Sequence, residues 1–379
     1  MPESARSVDG LSAATVVSGM RTMPSGARIG ILVVGLAIVA CTTEPSPTPG
    51  ASPSEQPSAT PVAAVSVDPT PTSAGELVFE VETFPVAAGT HPHDVAPAAN
   101  GGVWYTAQHT GRLGWLDPAS GEVREIPLGA GSSPHGVIVG PDDAAWVTDS
   151  GLNAILRVDP ESDAVTRFQL PDEASGANLN TAAFDRNDVL WFTGQAGWYG
   201  RVDPSSGQVD VFAAPRGAGP YGITATPGGD IYYASLAGSY LGQVDIDTGA
   251  VTVLEPPTAG AGVRRAWSDS TGRIWVAEWN VGQVGVYDPS DGSWREWRLP
   301  GESPQAYAVY VDELDAVWLT EFTADVIVRF DPLTATFRSF APESLPSAVR
   351  QLLGRTGEVW GAESAADRLV VVRYAVADE

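Results

Sequence analysis

The chain has 379 residues, with 41 glycines, 31 prolines and 12 tryptophans against only 18% charged residues, a balance that favours short strands and tight turns over helices with charged outer faces. Its formal charge is −25 and all 21 basic residues are arginine, so no lysine-rich patch is available to neutralise a phosphate backbone, and nucleic acid is excluded as an expected partner. A single cysteine excludes an intramolecular disulfide and leaves core burial to hold the fold.

The first feature along the chain is an apolar run from Ile29 to Ala40, preceded by Arg21 and Arg28. It is too short to span a bilayer as a helix and has the character of a signal-peptide core. It ends Ile38-Val39-Ala40-Cys41, similar to the lipobox of bacterial lipoproteins, in which cleavage before the cysteine leaves that residue lipidated. Residues 1–40 are therefore expected to be a lipoprotein signal peptide, and Cys41 a lipid anchor on the outer side of the cell membrane. Residues 41–75 consist mainly of Pro, Ser, Thr and Ala, a composition that cannot bury enough surface to offset the entropy of ordering, and are expected to be a linker.

From residue 76 to 379 the sequence repeats. An aromatic residue that follows a turn recurs at Trp104, Trp146, Trp191, Tyr232, Trp275, Trp318 and Trp360, with spacings of 42, 45, 41, 43, 43 and 42. That period suits four-stranded propeller blades, and seven markers predict seven blades of an all-β propeller. Turns between the third and fourth strands recur as Asp117-Pro118, Asp159-Pro160, Asp203-Pro204, Asp288-Pro289 and Asp331-Pro332. The last repeat supplies three strands only, and the segment Leu77 to Phe84 resembles the missing outer strand. Its pairing with the last blade would remove both exposed edges. The domain is expected to be a monomer.

In such blades the starts of the first strands and the ends of the second strands meet on one face near the axis. The first-strand starts bring His91, His93, His135, Asn178, Asn180, Tyr221, Arg264, Arg265, Gln305, Tyr307 and Arg350; the second-strand ends bring Gln108, His109, Asp149, Gln195, Ser235, Glu278, Glu321 and Glu363. All four histidines fall in this set, and histidines with carboxylates are what proton abstraction and divalent-metal binding require. The arginines could hold an anionic or carbonyl-rich ligand or balance the glutamates. Trp279 and Phe322 could stack on an apolar ligand or pack between blades.

The phrases Ser-Pro-His-Gly-Val (133–137), Gly-Pro-Tyr-Gly-Ile (219–223), Ile-Trp-Val-Ala-Glu-Trp-Asn (274–280) and Val-Trp-Leu-Thr-Glu-Phe (317–322) resemble the repeats of the virginiamycin B (streptogramin) lyase family. The resemblance covers roughly residues 77–375. It implies a seven-bladed propeller in which Mg²⁺ polarises an ester while a histidine removes the proton α to a carbonyl, so that a ring opens by elimination. The family's constellation is Glu-Pro-His at the start of one inner strand, with a second Glu at the end of the next strand. His91-Pro92-His93 with Gln108, and Ser133-Pro134-His135 with Asp149, are similar; each lacks at least one of the two glutamates. The resemblance makes His93 or His135 the base. It makes His91, Gln108 and Asp149 candidate ligands of Mg²⁺ or another divalent metal, to which the axial positions add Glu278, Glu321 and Glu363; those positions also make Asn180, Tyr221, Arg264, Arg265, Trp279, Tyr307, Phe322 and Arg350 the candidate substrate-binding residues. The expected substrate is a small ester, lactone or cyclic peptide. A metal-dependent lactonase and a tethered, non-catalytic binding propeller are the alternatives.

Overall fold

The computed structural model describes residues 76–377; Cys41, the expected signal peptide and the expected linker lie outside them. Seven four-stranded antiparallel sheets form the blades of a propeller, as the repeat predicts. The inner strands are Pro92–Pro97, Pro134–Val139, Leu179–Phe184, Pro220–Ala225, Val263–Ser268, Ala306–Val311 and Val349–Arg355. Each contacts the inner strand of the next blade around the whole ring, the last one returning to the first. No helix among the described residues is long and apolar enough to cross a membrane.

The ring closes on its own chain. Leu77–Pro85 pairs antiparallel with Arg368–Val376 in an unbroken register from Leu77 opposite Val376 to Pro85 opposite Arg368. An outer strand drawn from the start of the domain thus completes a sheet drawn from its end, and the pairing satisfies backbone groups that would otherwise lie at a bare edge. Phe79 packs against Trp318, Phe340 and Tyr374, so this strand also seals the groove between the last two blades.

The recurring aromatic is the core of each blade contact. Trp104, Trp191, Trp275, Trp318 and Trp360 are fully buried. An indole N–H taken from water needs an acceptor. Asp142 supplies it for Trp146 at 3.1 Å, Asp185 for Trp191 at 2.8 Å, Asp269 for Trp275 at 2.9 Å, Asp312 for Trp318 at 2.7 Å and Glu358 for Trp360 at 2.9 Å. The four aspartates also accept turn amides, as Asp312 does from Leu314 and Ala316, so one acid fixes both the hairpin and its tryptophan. On the outer side the Asp-Pro turns behave as expected, with Asp117, Asp159, Asp203, Asp288 and Asp331 each accepting amides two or three residues on.

Replacing Asp312 by Ala would orphan the Trp318 indole and two turn amides. The expected loss is about 1–3 kcal/mol of unfolding free energy in a denaturant titration, from the cost of an unsatisfied buried donor. An unchanged midpoint would show that the indole bond does not hold the blade.

Candidate functional site

Successive inner strands approach one another closely because two residue types allow it. A threonine in the second strand accepts the amide of its own inner strand and donates to a carbonyl of the next blade. Thr106 accepts Asp94 N at 3.0 Å and donates to His135 O at 2.9 Å, and Thr148 accepts Gly136 N at 2.9 Å and donates to Asn180 O at 2.5 Å. Thr193 donates in the same way to Tyr221 O. The glycine of the Pro-X-Gly phrases provides the clearance. A Cβ on Gly136 would stand 2.4 Å from Asn180 O, and one on Gly222 would stand 2.6 Å from Arg265 Cα.

Every inner strand also breaks register near its start, between Pro92 and Val95 in the first blade and at equivalent points in the other six. The irregularity turns two consecutive side chains toward the axis instead of one. The upper layer is His93, His135, Asn180, Tyr221, Arg264, Tyr307 and Arg350. Beneath it lie Asp94, Gly136, Thr181, Gly222, Arg265, Ala308 and Gln351, which line a cavity of about 30 Å³. The opposite mouth is apolar, with about 540 Å³ among residues such as Ile138, Phe184, Trp267 and Tyr310.

His93 and His135 meet with ring centroids 3.9 Å apart. His93 Nδ1 lies 2.7 Å from Asp94 Oδ1 and His135 Nδ1 lies 3.1 Å from Asn180 O. Carboxylate and carbonyl oxygens only accept here, so each Nδ1 carries the proton and each Nε2 keeps its lone pair. Burial, reinforced by Arg265, Arg350 and Arg264, holds His93 well below the ordinary histidine range. Burial and the neighbouring His93, partly offset by Asp94, do the same for His135. Both imidazoles are therefore neutral at neutral pH.

Asp94 also receives Arg265 from across the channel, with Nη2 3.1 Å from Oδ1 and Nη1 3.3 Å from Oδ2. Asp94 is 1% exposed and Arg265 5%, so the pair is a buried strut below the mouth. Arg265 thus balances this aspartate and none of the glutamates expected to face it. Opposite the histidines, Arg264 donates to Tyr221 Oη at 2.7 Å, and Tyr221 Oη lies 3.0 Å from Tyr307 Oη. Burial pushes the Tyr307 phenol up, but Arg264 and Arg265 outweigh it and leave the phenol below the ordinary tyrosine range. Tyr307 stacks on Phe322 at 4.9 Å, and Trp279 stands 5.7 Å from both rings.

The candidate metal ligands are placed apart from the histidines. Asp149 accepts Ser132 Oγ, Ser133 N and Leu152 N, and Glu321 accepts Gln305 N, Thr323 N and Ala324 N, so both carboxylates cap loops. Glu278 and Glu363 are buried with no hydrogen-bond partner. Burial, with Glu296 nearby, pushes Glu278 up to about 8; burial, with Asp325 and Glu343 against the opposing Arg368, pushes Glu363 up to about 7. His91 faces Ser364 O at 3.0 Å and packs on His109, and Gln108 brings no carboxylate. Among the described residues, His93, Asp94 and His135 form the one group of three whose ligand atoms lie within 4.8 Å of one another. Asp94 already serves His93 and Arg265 there. Mg²⁺ takes several oxygen ligands, usually carboxylates among them, so this donor set with three guanidiniums around it does not fit Mg²⁺.

The sequence matches the model of the Virginiamycin B lyase family over residues 73–302. No curated protein sequence matches it significantly. Among solved structures it is similar to selenomethionine-substituted virginiamycin B lyase from Staphylococcus aureus, with a TM-score of 0.73 and 18% identity over 78% of this chain and 99% of that one. A streptogramin B lyase gives a TM-score of 0.72 and 19% identity over 78% of this chain and 98% of that one. YCF48 bound to D1 peptide gives 0.62 and 14% over 79% and 97%. At these identities the likeness is one of fold.

Glu278 yields a pH-dependent expectation. In the unfolded chain it ionises near 4.5, whereas the folded protein keeps it protonated up to about 8. Its proton therefore favours the folded state, and stability falls as pH rises from the lower value through the higher one. Glu278→Gln removes that loss, so above about pH 8 the variant should be more stable than the wild type by about 1 kcal/mol or more. Parallel stability–pH curves would contradict the assignment.

Proposed function

This chain belongs to the virginiamycin B lyase family, and on that premise we propose that the histidine-bearing mouth is the site of a carbon–oxygen elimination on an ester, lactone or cyclic peptide, with His93 as the base. The observation that carries this is the buried His93–Asp94 hydrogen bond at 2.7 Å, which orients the imidazole and leaves Nε2 open. His93 Nε2 takes the proton from the carbon α to a carbonyl. The C–H electron pair becomes the C=C bond while the β C–O bond breaks, its electrons leaving on the ester carboxylate, and no water is consumed. Asp94 stabilises the imidazolium that forms, the role of the acid in histidine dyads. Arg264, Arg350 and the Tyr307 hydroxyl supply donors for the oxygen that gains charge as the proton leaves. His135 packs against His93 and is the second base candidate.

Because Asp94, Asp149 and Glu321 are committed to protein groups and neither Glu278 nor Glu363 groups with the histidines, no step is assigned to a metal. That same incompleteness favours a second reading, a binding propeller without catalysis, which would hold a ligand at this mouth and release it unchanged. On export, the apolar run before Cys41 and the single cysteine itself support a lipoprotein anchored outside the cell membrane.

Quinupristin, the compound named with a catalytically inactive virginiamycin B lyase from Staphylococcus aureus, is a suitable first substrate. Ring opening should proceed in EDTA, give a product of unchanged mass and fall at least about 100-fold in His93→Ala. Because His93 is held below the ordinary histidine value, kcat/KM should stay level as the pH is lowered to about 6.5, where an unperturbed imidazole would be half protonated. A product heavier by one water would indicate hydrolysis, and full activity in the variant would exclude this base. A labelled palmitate chase should mark the wild-type protein and leave Cys41→Ser unlabelled; equal labelling would end the anchoring proposal.

A further inference from the structure

The mouth carries more positive charge than its surroundings neutralise. Many arginines of this acidic chain meet carboxylates, as Arg157 meets Asp142, Arg201 meets Asp210, Arg273 meets Asp269 and Arg373 meets Glu358. Arg264 and Arg350 have no carboxylate within salt-bridge distance among the described residues, and the Nε of each is buried without a hydrogen-bond partner. The buried acid at the axis, Asp94, is already paired with Arg265. Both guanidiniums are half-buried at the mouth, so they have charge to spare for an anionic group that reaches it.

The geometry narrows that group. The Arg264 guanidinium lies 3.7 Å from the Tyr307 ring centroid and 4.2 Å from that of Tyr221, and Arg350 lies 5.7 Å from Phe322. A guanidinium that lies over an aromatic ring still has N–H groups to offer, and their fork matches the two oxygens of a carboxylate. Beside them Trp279 and Phe322, both partly exposed, form an apolar wall.

We propose that this mouth binds an amphipathic carboxylate, with its head at the edges of Arg264 and Arg350 and its apolar or aromatic body against Trp279 and Phe322. The proposal concerns the same mouth as the elimination and names the class of ligand it holds. Breaking an ester C–O bond by elimination releases such a carboxylate, so the two guanidiniums that serve the carbonyl oxygen as the proton leaves would also receive the carboxylate as the C–O bond breaks.

The test is calorimetric titration of the purified full chain in EDTA with 3-phenylpropionate, its neutral alcohol 3-phenylpropanol, and inorganic phosphate. The carboxylate should bind at least about tenfold more tightly than either alternative, and Arg350→Gln should weaken it by a similar factor. Arg350→Lys, which keeps the charge without the fork, should also bind more weakly than the wild type while retaining its melting temperature. His93→Ala should bind the carboxylate within about threefold of the wild type, because the base is not part of the anion site. Absent binding, equal binding of the alcohol or phosphate, an unaffected Arg350→Gln variant, or binding that requires a divalent metal would each overturn the proposal. Carboxylate binding in a protein that opens no ring would sink only the elimination.

Discussion

The constraint on which everything else rests is the close passage of seven inner strands around one axis. In four of the seven blades a threonine hydroxyl, of Thr106, Thr148, Thr193 or Thr320, serves its own blade's amide, and in the first three of these it also serves the next blade's carbonyl; the other three blades carry alanine there. Because the carbonyls so fixed belong to His135, Asn180 and Tyr221, the stitch that holds the ring together also sets the backbone of the residues at its mouth. Core and site are therefore one construction. The side chains above the stitch are free to vary, since the fold asks of them only that they tolerate a narrow, half-wet opening.

What varies there is charge. The body of the protein is acidic, yet the channel mouth collects three arginines against one buried aspartate, with two imidazoles kept neutral by burial and by those same arginines. The coupling runs both ways. Guanidiniums close to the histidines discourage protonation, which keeps the imidazoles basic in form and leaves the positive charge for a ligand. A dication placed among those guanidiniums would meet that field unfavourably.

Much of this was legible in the sequence. The spacing of the aromatic markers set the blade count because five of the seven are indoles that reach an acid of their own blade, and the Pro-X-Gly phrases located the upper ring because the glycine marks where two strands nearly touch. Asp94 was not legible. Simple strand alternation sends the neighbour of an inward His93 to the opposite face, and only the register break turns both toward the axis. The loop-capping role of two acids at the second-strand ends was not legible either. Asp149 and Glu321 occupy equivalent positions near the channel, but the amides of adjacent loops draw their carboxylates back. Whether a loop presents such amides depends on backbone geometry that residue identity does not encode.

The closing strand has one further consequence. Ala377 N donates to Glu76 O at 2.8 Å, so the two ends of the described chain sit within one hydrogen bond of each other. A ring joined in that way has no structural first blade. Fusing those ends and opening the chain instead at an exposed rim turn, such as the one at Leu333, would leave all seven sheets complete. The order in which the blades are written in the gene is thus separable from the object they build, and circularly permuted versions of the propeller are compatible with the same axis and the same mouth.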